Sequence, residues 1–392
     1  MAVPESDPGT IPFPPASIIQ SVPVPISLST PADKTALHAN LASKTILITG
    51  GASGFGATCF RSWASQGASV IIGDINSTLG TELVTTVHKE TGNPNLHFIP
   101  LDVTSWSSQV KFFRRAAQLS PHGGIDCVVA NAGVADANEN REFEAPSREY
   151  GNVDDSIKGD GDGDAAVPPP PGLRTLDVNL YGVIYTTHLA MWYLPRNPGS
   201  TPCDPKASSG SRDRHLLLVS SIAGLSGLPG QPLYAAAKHG VVGLFRTLRL
   251  TTPIKHGIRV NMINPYFVDT PILGPLGALV LAGGGMATIE SVLEAATRLV
   301  ADQSIIGRAL AIGPKASVEQ ARAVGLVSDT AEMDTDGQAI WDVYAHDFEQ
   351  SDLFTRRIIA VTNLITQARG WTGMVGDVAG KASYRFWKVL GY

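Results

Sequence analysis

The sequence predicts an α/β chain with a single domain built on a doubly wound parallel sheet. Three observations carry that prediction. Short apolar runs alternate with stretches of helical periodicity between residues 44 and 314. The runs are rich in Val, Ile and Leu with few polar interruptions, as strands buried on both faces require. Strand, helix and strand in repeated succession imply parallel pairing with right-handed crossovers.

The elements follow in order. A Pro-rich, extended arm occupies residues 1–43. The first strand is read in "KTILITG" (44–50), with a helix over 55–66 behind it. "SVIIGD" (69–74) precedes a helix over 77–91, and "LHFIPLD" (96–102) precedes one over 106–118. "IDCVVANAG" (125–133) is the fourth strand. Residues 136–172, with "VDDSIKGDGDGDAAVPPPPG", read as an acidic, flexible insertion, and 196–213 as a polar surface loop. "RHLLLVSS" (214–221) and "IRVNMINP" (258–265) flank another helix, and "SIIGRALAIGP" (304–314) is the last core strand. Residues 315–392 read as a helical C-terminal extension.

Composition excludes several classes. The 392 residues carry a net charge of -5 and no dense Lys/Arg run, so no nucleic-acid partner is expected. Cys59, Cys127 and Cys203 are odd in number and far apart, which fits a reducing compartment. The start of the chain lacks the basic, apolar pattern of a signal peptide, and its first Arg is Arg61. No apolar stretch is long enough to insert stably in a bilayer, so the expectation is cytoplasmic. Asp160, Asp162 and Asp164 alternate like the opening of a calcium loop. Ala165 then stands where the turn Gly belongs and Pro171 where the bidentate Glu belongs, so no metal is expected.

"TILITGGASGFGATCF" sets Gly50, Gly54 and Gly56 between a strand and a helix. Glycines there allow a tight turn and let a pyrophosphate approach the helix N-terminus, where exposed N–H groups favour an anion. Asp74 closes the next strand about 20 positions on, as a Rossmann-like dinucleotide site asks. A carboxylate accepts hydrogen bonds from ribose hydroxyls and repels a 2′-phosphate. Ala52 and Ser53 offer no cation to hold that phosphate, so NAD is expected over NADP.

With these residues the chain resembles the short-chain dehydrogenase/reductase family over 44–314. The spacing Gly-x-x-x-Gly-x-Gly is the family's form. "LDV" (101–103), "NAG" (131–133), "DVNLYG" (177–182), "VSSIAG" (219–224), "YAAAK" (234–238) and "NPYFVDTP" (264–271) follow in the family's order. The family usually has Pro-Gly where this chain has Pro265-Tyr266. The resemblance implies a cofactor site of Gly50, Ser53, Gly54, Phe55, Gly56, Asp74, Asp102, Val103, Asn131, Tyr234, Lys238, Val268 and Thr270. It also implies catalysis by Asn179, Ser221, Tyr234 and Lys238, and a homo-oligomer, dimer or tetramer.

In that scheme Tyr234 is the base for an alcohol and the acid for a ketone. Lowering a tyrosine by ~3 pH units needs roughly 4 kcal/mol. A cation ~4 Å away at an effective dielectric of ~20 supplies about that. Lys238 stands one helical turn from Tyr234 on the same face. Ser221 would align the substrate oxygen, and Asn179 would order a water beside Lys238. The Ala triplet between Tyr234 and Lys238 would let the helix lie close to the cofactor, with Ala236 as its test. His239 faces another side and reads as structural. Tyr384 and Lys388 repeat the spacing without the flanking motifs, so they read as part of an amphipathic terminal helix.

Residues 271–300 form the expected substrate lid, apolar and with no Arg or Lys before Arg298. That argues against an anionic substrate and for a hydrophobic secondary alcohol or ketone: steroid-, prostanoid-, terpenoid- or polyketide-like. Two alternatives stand beside it: an NADPH-dependent ketoreductase, and an NAD-binding regulator without turnover.

Overall fold

A computed structural model describes residues 39–146, 170–204, 212–273, 285–317, 319 and 337–343. All of these fall in one compact unit, Val22–Tyr344. Residues 1–38 of the expected arm, most of the acidic insertion with Asp160, Asp162 and Asp164, much of the lid, and the Tyr384/Lys388 stretch lie outside the described residues; residues 39–42, read as part of the extended arm, are instead helical, with Asn40 and Leu41 buried.

The sheet has eight strands in the order β3-β2-β1-β4-β5-β6-β7-β8. They are β1 (Thr45–Thr49), β2 (Ser69–Asp74), β3 (Leu96–Pro100), β4 (Cys127–Ala130), β5 (Arg214–Val219), β6 (Ile258–Pro265), β7 (Ala309–Ala316) and β8 (Gln338–Val343). The first seven pair in parallel, and β8 runs antiparallel along β7. Strand order reverses between β1 and β4, which opens a crevice at the C-terminal strand ends.

Alternation along β1 assigns the two faces. Ile46 and Ile48 pack toward helices α1 (Gly54–Ser65), α2 (Ser77–Thr91) and α8 (Ile289–Ala301). Leu47 packs on the opposite face with α3 (Trp106–Leu119), α6 (Gly182–Tyr193) and α7 (Pro232–His256). Local chemistry starts and stops the helices. Asn76 accepts from the Leu79 N–H at the start of α2, and Gly92 at φ 67° ends it. Pro232 opens α7, and Gly257 at φ 62° closes it.

A buried ionic group ties the N-terminal ends of β1, β5 and β6 together. Asp213 accepts from both Lys44 and Arg259, all three being shut off from solvent. Burial alone would raise the Asp213 carboxyl; Arg259 and Lys44 reverse this and hold it below the usual carboxylate range. Arg259 also donates to the carbonyl of Val300 at 2.7 Å, binding the end of α8 to β6. Among the described residues no helix is long and apolar enough to cross a membrane.

Two further elements depart from the sequence expectation. Helix α4 (Ala137–Glu144) occupies the start of the stretch read as flexible insertion. Asp136 caps it by accepting from the Asn138 and Glu139 N–H groups, and Glu139 and Asn140 are buried. β8 lies within the extension read as helical; its Ala339 and Ile340 join the core against β7. Its six residues are too few to reveal their period in an otherwise polar stretch.

Candidate active site

The glycine loop leaves β1 and enters α1 at the crevice. Gly50 (φ 65°) and Gly54 (φ 50°) are in the left-handed region. A Cβ on Gly50 would lie 2.7 Å from the Ala132 Cα, and one on Gly56 2.3 Å from the Gly50 carbonyl oxygen. Gly54 is different: its added Cβ would meet nothing nearer than Thr270 at 3.8 Å, across open space. The loop is thus a bare-backbone cradle at a helix N-terminus, which fits a pyrophosphate. Asn131 stitches it to β4, donating to the carbonyls of Thr49 (3.0 Å) and Gly50 (2.8 Å).

Asp74 ends β2 beside this loop. Its Oδ2 accepts from the Ala52 N–H and its Oδ1 from the Asn76 N–H, each at 3.0 Å. Asp102 turns Oδ1 onto the N–H and hydroxyl of Thr104. Val103 is held through buried Gln109, which donates to its carbonyl at 2.7 Å and to that of Gly182 at 2.9 Å.

Ser221 follows β5 and heads a short 3-10 turn, Ile222–Gly224. Its hydroxyl donates to the Pro265 carbonyl at 3.4 Å, accepts from the Ala223 N–H at 3.2 Å and lies near enough to Tyr234 to act on its phenol. The neighbouring Ser220 instead donates to the Lys238 carbonyl at 3.0 Å and anchors α7 to the sheet end. Lys238 is buried, donates to the Val219 carbonyl at 3.2 Å, and stands 5.6 Å from the Tyr234 ring centre. Asn179 lies in a π-helical turn, Asp177–Tyr181, between the short helix α5 (Arg174–Leu176) and α6. Its amide clamps Val134, donating to the carbonyl at 2.7 Å and accepting from the N–H at 2.8 Å. A Cβ on Gly133 would lie 3.2 Å from Asn179 Oδ1 and 3.7 Å from Lys238 Nζ, so this glycine leaves room where the two converge.

The electrostatics correct the expectation for Tyr234. Burial raises its phenol, and the Ser221 hydrogen bond only partly opposes that. Burial also brings Lys238 down to about 8. Desolvation of both groups outweighs the attraction expected from an ammonium one turn away. The Ala triplet also divides differently from the expectation. Ala237 is buried, whereas Ala236 is exposed and does not line the cavity, since successive helical residues point about 100° apart. His239 is exposed and pairs through Nδ1 with the Ala235 carbonyl oxygen at 2.9 Å.

Most of the expected site residues border one cavity of about 620 Å³. Its wall includes Gly50, Ser53, Gly54, Phe55, Asp74, Asp102, Val103, Asn131, Ser221, Tyr234, Lys238, Val268 and Thr270. Gly56 and Asn179 support it from behind. Tyr266 continues β6, donating its N–H to the Ile312 carbonyl at 2.7 Å, and its ring packs edge-on against Phe267 at 4.8 Å. Both line the cavity.

Sequence reasoning missed several wall residues. Ile75, 74% exposed, follows Asp74. Arg174 and Asp177 bring charge to a wall expected to be apolar. Gln231 lies one turn before Tyr234. Behind them Asn140 accepts from the Leu233 N–H at 2.9 Å and the Tyr234 N–H at 3.4 Å. Among the described residues no cluster of His, Cys, Asp and Glu is placed to hold a metal ion.

A family model described as short chain dehydrogenase matches residues 44–154 and 172–278. A 5'-hydroxyaverantin dehydrogenase of Dothistroma septosporum is 35% identical over 288 residues, 72% of this chain and 88% of that protein. An NADP-dependent dehydrogenase of a Phoma species is 29% identical over 284 residues, 70% of this chain and 75% of that one. Among solved structures, levodione reductase superposes with a TM-score of 0.54 at 19% identity, over 72% of this chain and 99% of the other.

Proposed function

The chain belongs to the short-chain dehydrogenase family, and from that premise we propose that it is an NAD-dependent oxidoreductase of hydrophobic secondary alcohols or ketones. The observation that carries the reading is the meeting of Ser221, Tyr234 and Lys238 with a glycine cradle in one cavity. A regulator without turnover needs the cradle and has no use for the triad.

Ser221 holds the substrate oxygen, and Tyr234 exchanges the proton with it. In oxidation the alcohol proton passes to the Tyr234 oxygen as the carbinol carbon gives up a hydride; in reduction both transfers run backward. The nicotinamide supplies the hydride chemistry when bound. Lys238 would hold a ribose hydroxyl of the cofactor and bias Tyr234 toward its charged form. Asn179, braced on Val134, orders a water beside Lys238.

Gly50, Ser53, Gly54 and Phe55 would cradle the pyrophosphate, and Gly56 keeps α1 close enough to do so. Asp74 would take the adenosine ribose hydroxyls, with Asp102 and Val103 at the adenine and Asn131, Val268 and Thr270 toward the nicotinamide. The carboxylate of Asp74 beside the loop supports NAD rather than NADP. The aromatic and aliphatic wall around Phe267, Ile272 and Leu273 supports a steroid-, prostanoid-, terpenoid- or polyketide-like substrate.

The same reading keeps the protein cytoplasmic and makes it a homo-oligomer. Tyr181, Ile184 and Trp192 are exposed along one helical face and support self-association. A screen of secondary alcohols with NAD and of ketones with NADH, read by NADH absorbance, tests the activity. Tight NADH binding without turnover of any compound would favour the regulator instead.

A further inference from the structure

Arg174 opens the helical run that carries Asn179, and it lines the cavity. It is exposed, and among the described residues no hydrogen bond or ion pair holds its guanidinium. Its place follows from the helix. Arg174, Val178 and Gly182 stand four residues apart, so they share one side of the run. Gly182 packs on Val103, 2.9 Å from a Val103 methyl to an added Cβ. Val103 and Val178 both line the cavity, so this side faces the crevice. Helices in a parallel sheet start at the C-terminal strand ends, which makes Arg174 its outermost member.

The glycine loop enters the same crevice from the other side, because α1 and α6 pack on opposite faces of the sheet. Gly50, Ser53 and Gly54 bring backbone there and no cation. Among the described residues the wall has two cations, Arg174 and Lys238, and Lys238 is buried beside Tyr234. Asp74, Asp102 and Asp177 make the wall net negative before any anion arrives. A dinucleotide adds two phosphate charges, and Arg174 is the exposed cation left to meet them. We propose that Arg174 is a cofactor clamp whose guanidinium takes the pyrophosphate from the side opposite the glycine loop. The inference rests on the dehydrogenase reading, and it assigns this wall charge to the cofactor, leaving the substrate end apolar.

The test uses ADP-ribose, which carries the pyrophosphate without the nicotinamide, and adenosine, which lacks it. Competition against NADH fluorescence measures both in wild type, Arg174→Ala and Arg174→Lys. Arg174→Ala weakens ADP-ribose by about fivefold at low salt and leaves adenosine unchanged. Arg174→Lys keeps the charge without the planar fork and loses about twofold. Added salt closes the gap between wild type and Arg174→Ala, since the guanidinium is exposed. Unchanged ADP-ribose affinity in Arg174→Ala, or equal weakening of adenosine, overturns the proposal. So does a loss of turnover confined to carboxylate-bearing alcohols with cofactor affinity intact, which makes Arg174 a substrate contact.

Melting gives a second reading without turnover. Arg174→Ala leaves the Tm of the ligand-free protein unchanged and shrinks the rise that ADP-ribose produces. A clear fall in the ligand-free Tm means a structural contact and overturns the proposal. If wild type binds ADP-ribose but turns over no alcohol, the dehydrogenase reading fails by itself. The two affinities, which need no turnover, still decide the role of Arg174.

Discussion

Asn140 on α4 caps the helix that carries Tyr234, its Oδ1 accepting from the Tyr234 N–H at 3.4 Å and the Leu233 N–H at 2.9 Å. The cap comes from nearly a hundred residues upstream, on a helix that also uses buried Glu139 to hold the Thr175 N–H at 3.0 Å. One short helix therefore joins the two segments that deliver Tyr234 and Asn179. Asn140→Ala removes a cap worth about 1 kcal/mol and leaves two N–H groups unpaired. The expected outcome is a lower Tm and a kcat down by about tenfold or more, because small misplacement of a proton donor is costly. NADH affinity changes little, and Asn140→Asp, which keeps the acceptor, restores most of kcat. A loss of stability with kcat intact would show that the cap does not position Tyr234.

Asp74 decides between dinucleotides. Its two oxygens accept from Ala52 and Asn76 and hold negative charge against the glycine loop. Wild type is expected to bind NADH more tightly than NADPH by at least about tenfold, since a second anion there costs more than 1.4 kcal/mol. Asp74→Ala narrows the gap and Asp74→Arg reverses it. Fluorescence titration with both cofactors checks this, and equal affinities in wild type would end the NAD assignment.

Lys238 works at a cost to stability. Burial lowers its ammonium from 10.5 to about 8. Between about 8 and 10.5 the unfolded chain binds more protons than the folded one, so this residue makes stability rise with pH across that window. Below it the full penalty applies, on the order of 3 kcal/mol. Lys238→Met is expected to abolish turnover yet raise stability near neutral pH by roughly 1–3 kcal/mol, after allowing for the lost bond to Val219. Urea melts near neutral pH and near the top of the window should show the gain shrinking as pH rises. A variant less stable than wild type near neutral pH would contradict the argument.

The parts of this site legible in sequence are those in which local pattern and function coincide. Residues 69–74 read as a strand from a short apolar run, and 258–265 from apolar Ile258, Val260 and Met262 alternating with Arg259 and Asn261; the structure gives both those same bounds. Gly50, Gly54 and Asp74 stand at fixed distances along a βα unit, so their meeting follows from strand geometry. Asn140 and Gln231 were not legible, because their significance is relational. An Asn on one helix says nothing until the fold brings it to the start of another, where it takes the donors that Gln231 would otherwise cap. Ala236 shows the opposite failure: its place beside two cavity residues suggested contact, and the helical turn carries it outward. The pKa of Tyr234 failed for a third reason. Pair attraction can be written from spacing alone, but desolvation depends on every element packed around the pair.

That desolvation gives the two reaction directions different pH dependences. In the cofactor-free protein burial keeps Tyr234 protonated near neutral pH, so the acid for ketone reduction is already in place. Alcohol oxidation must first find the phenolate, whose population rises about tenfold per pH unit below the pKa. Oxidation kcat/KM should therefore climb between about pH 6 and about pH 9, while reduction stays level and declines only as the phenol ionises. Loss of the Lys238 charge above about 8 removes its support for the phenolate and flattens the climb. Ser221→Ala, which removes the hydroxyl that pulls the phenol down, moves the oxidation limb to higher pH as well as lowering the rate. Tyr234→Phe loses about a hundredfold or more in both directions, and its residual rate has no such slope. Steady-state profiles in both directions over one buffer series make the comparison, and an oxidation profile level across that range would rule out Tyr234 as the titrating base.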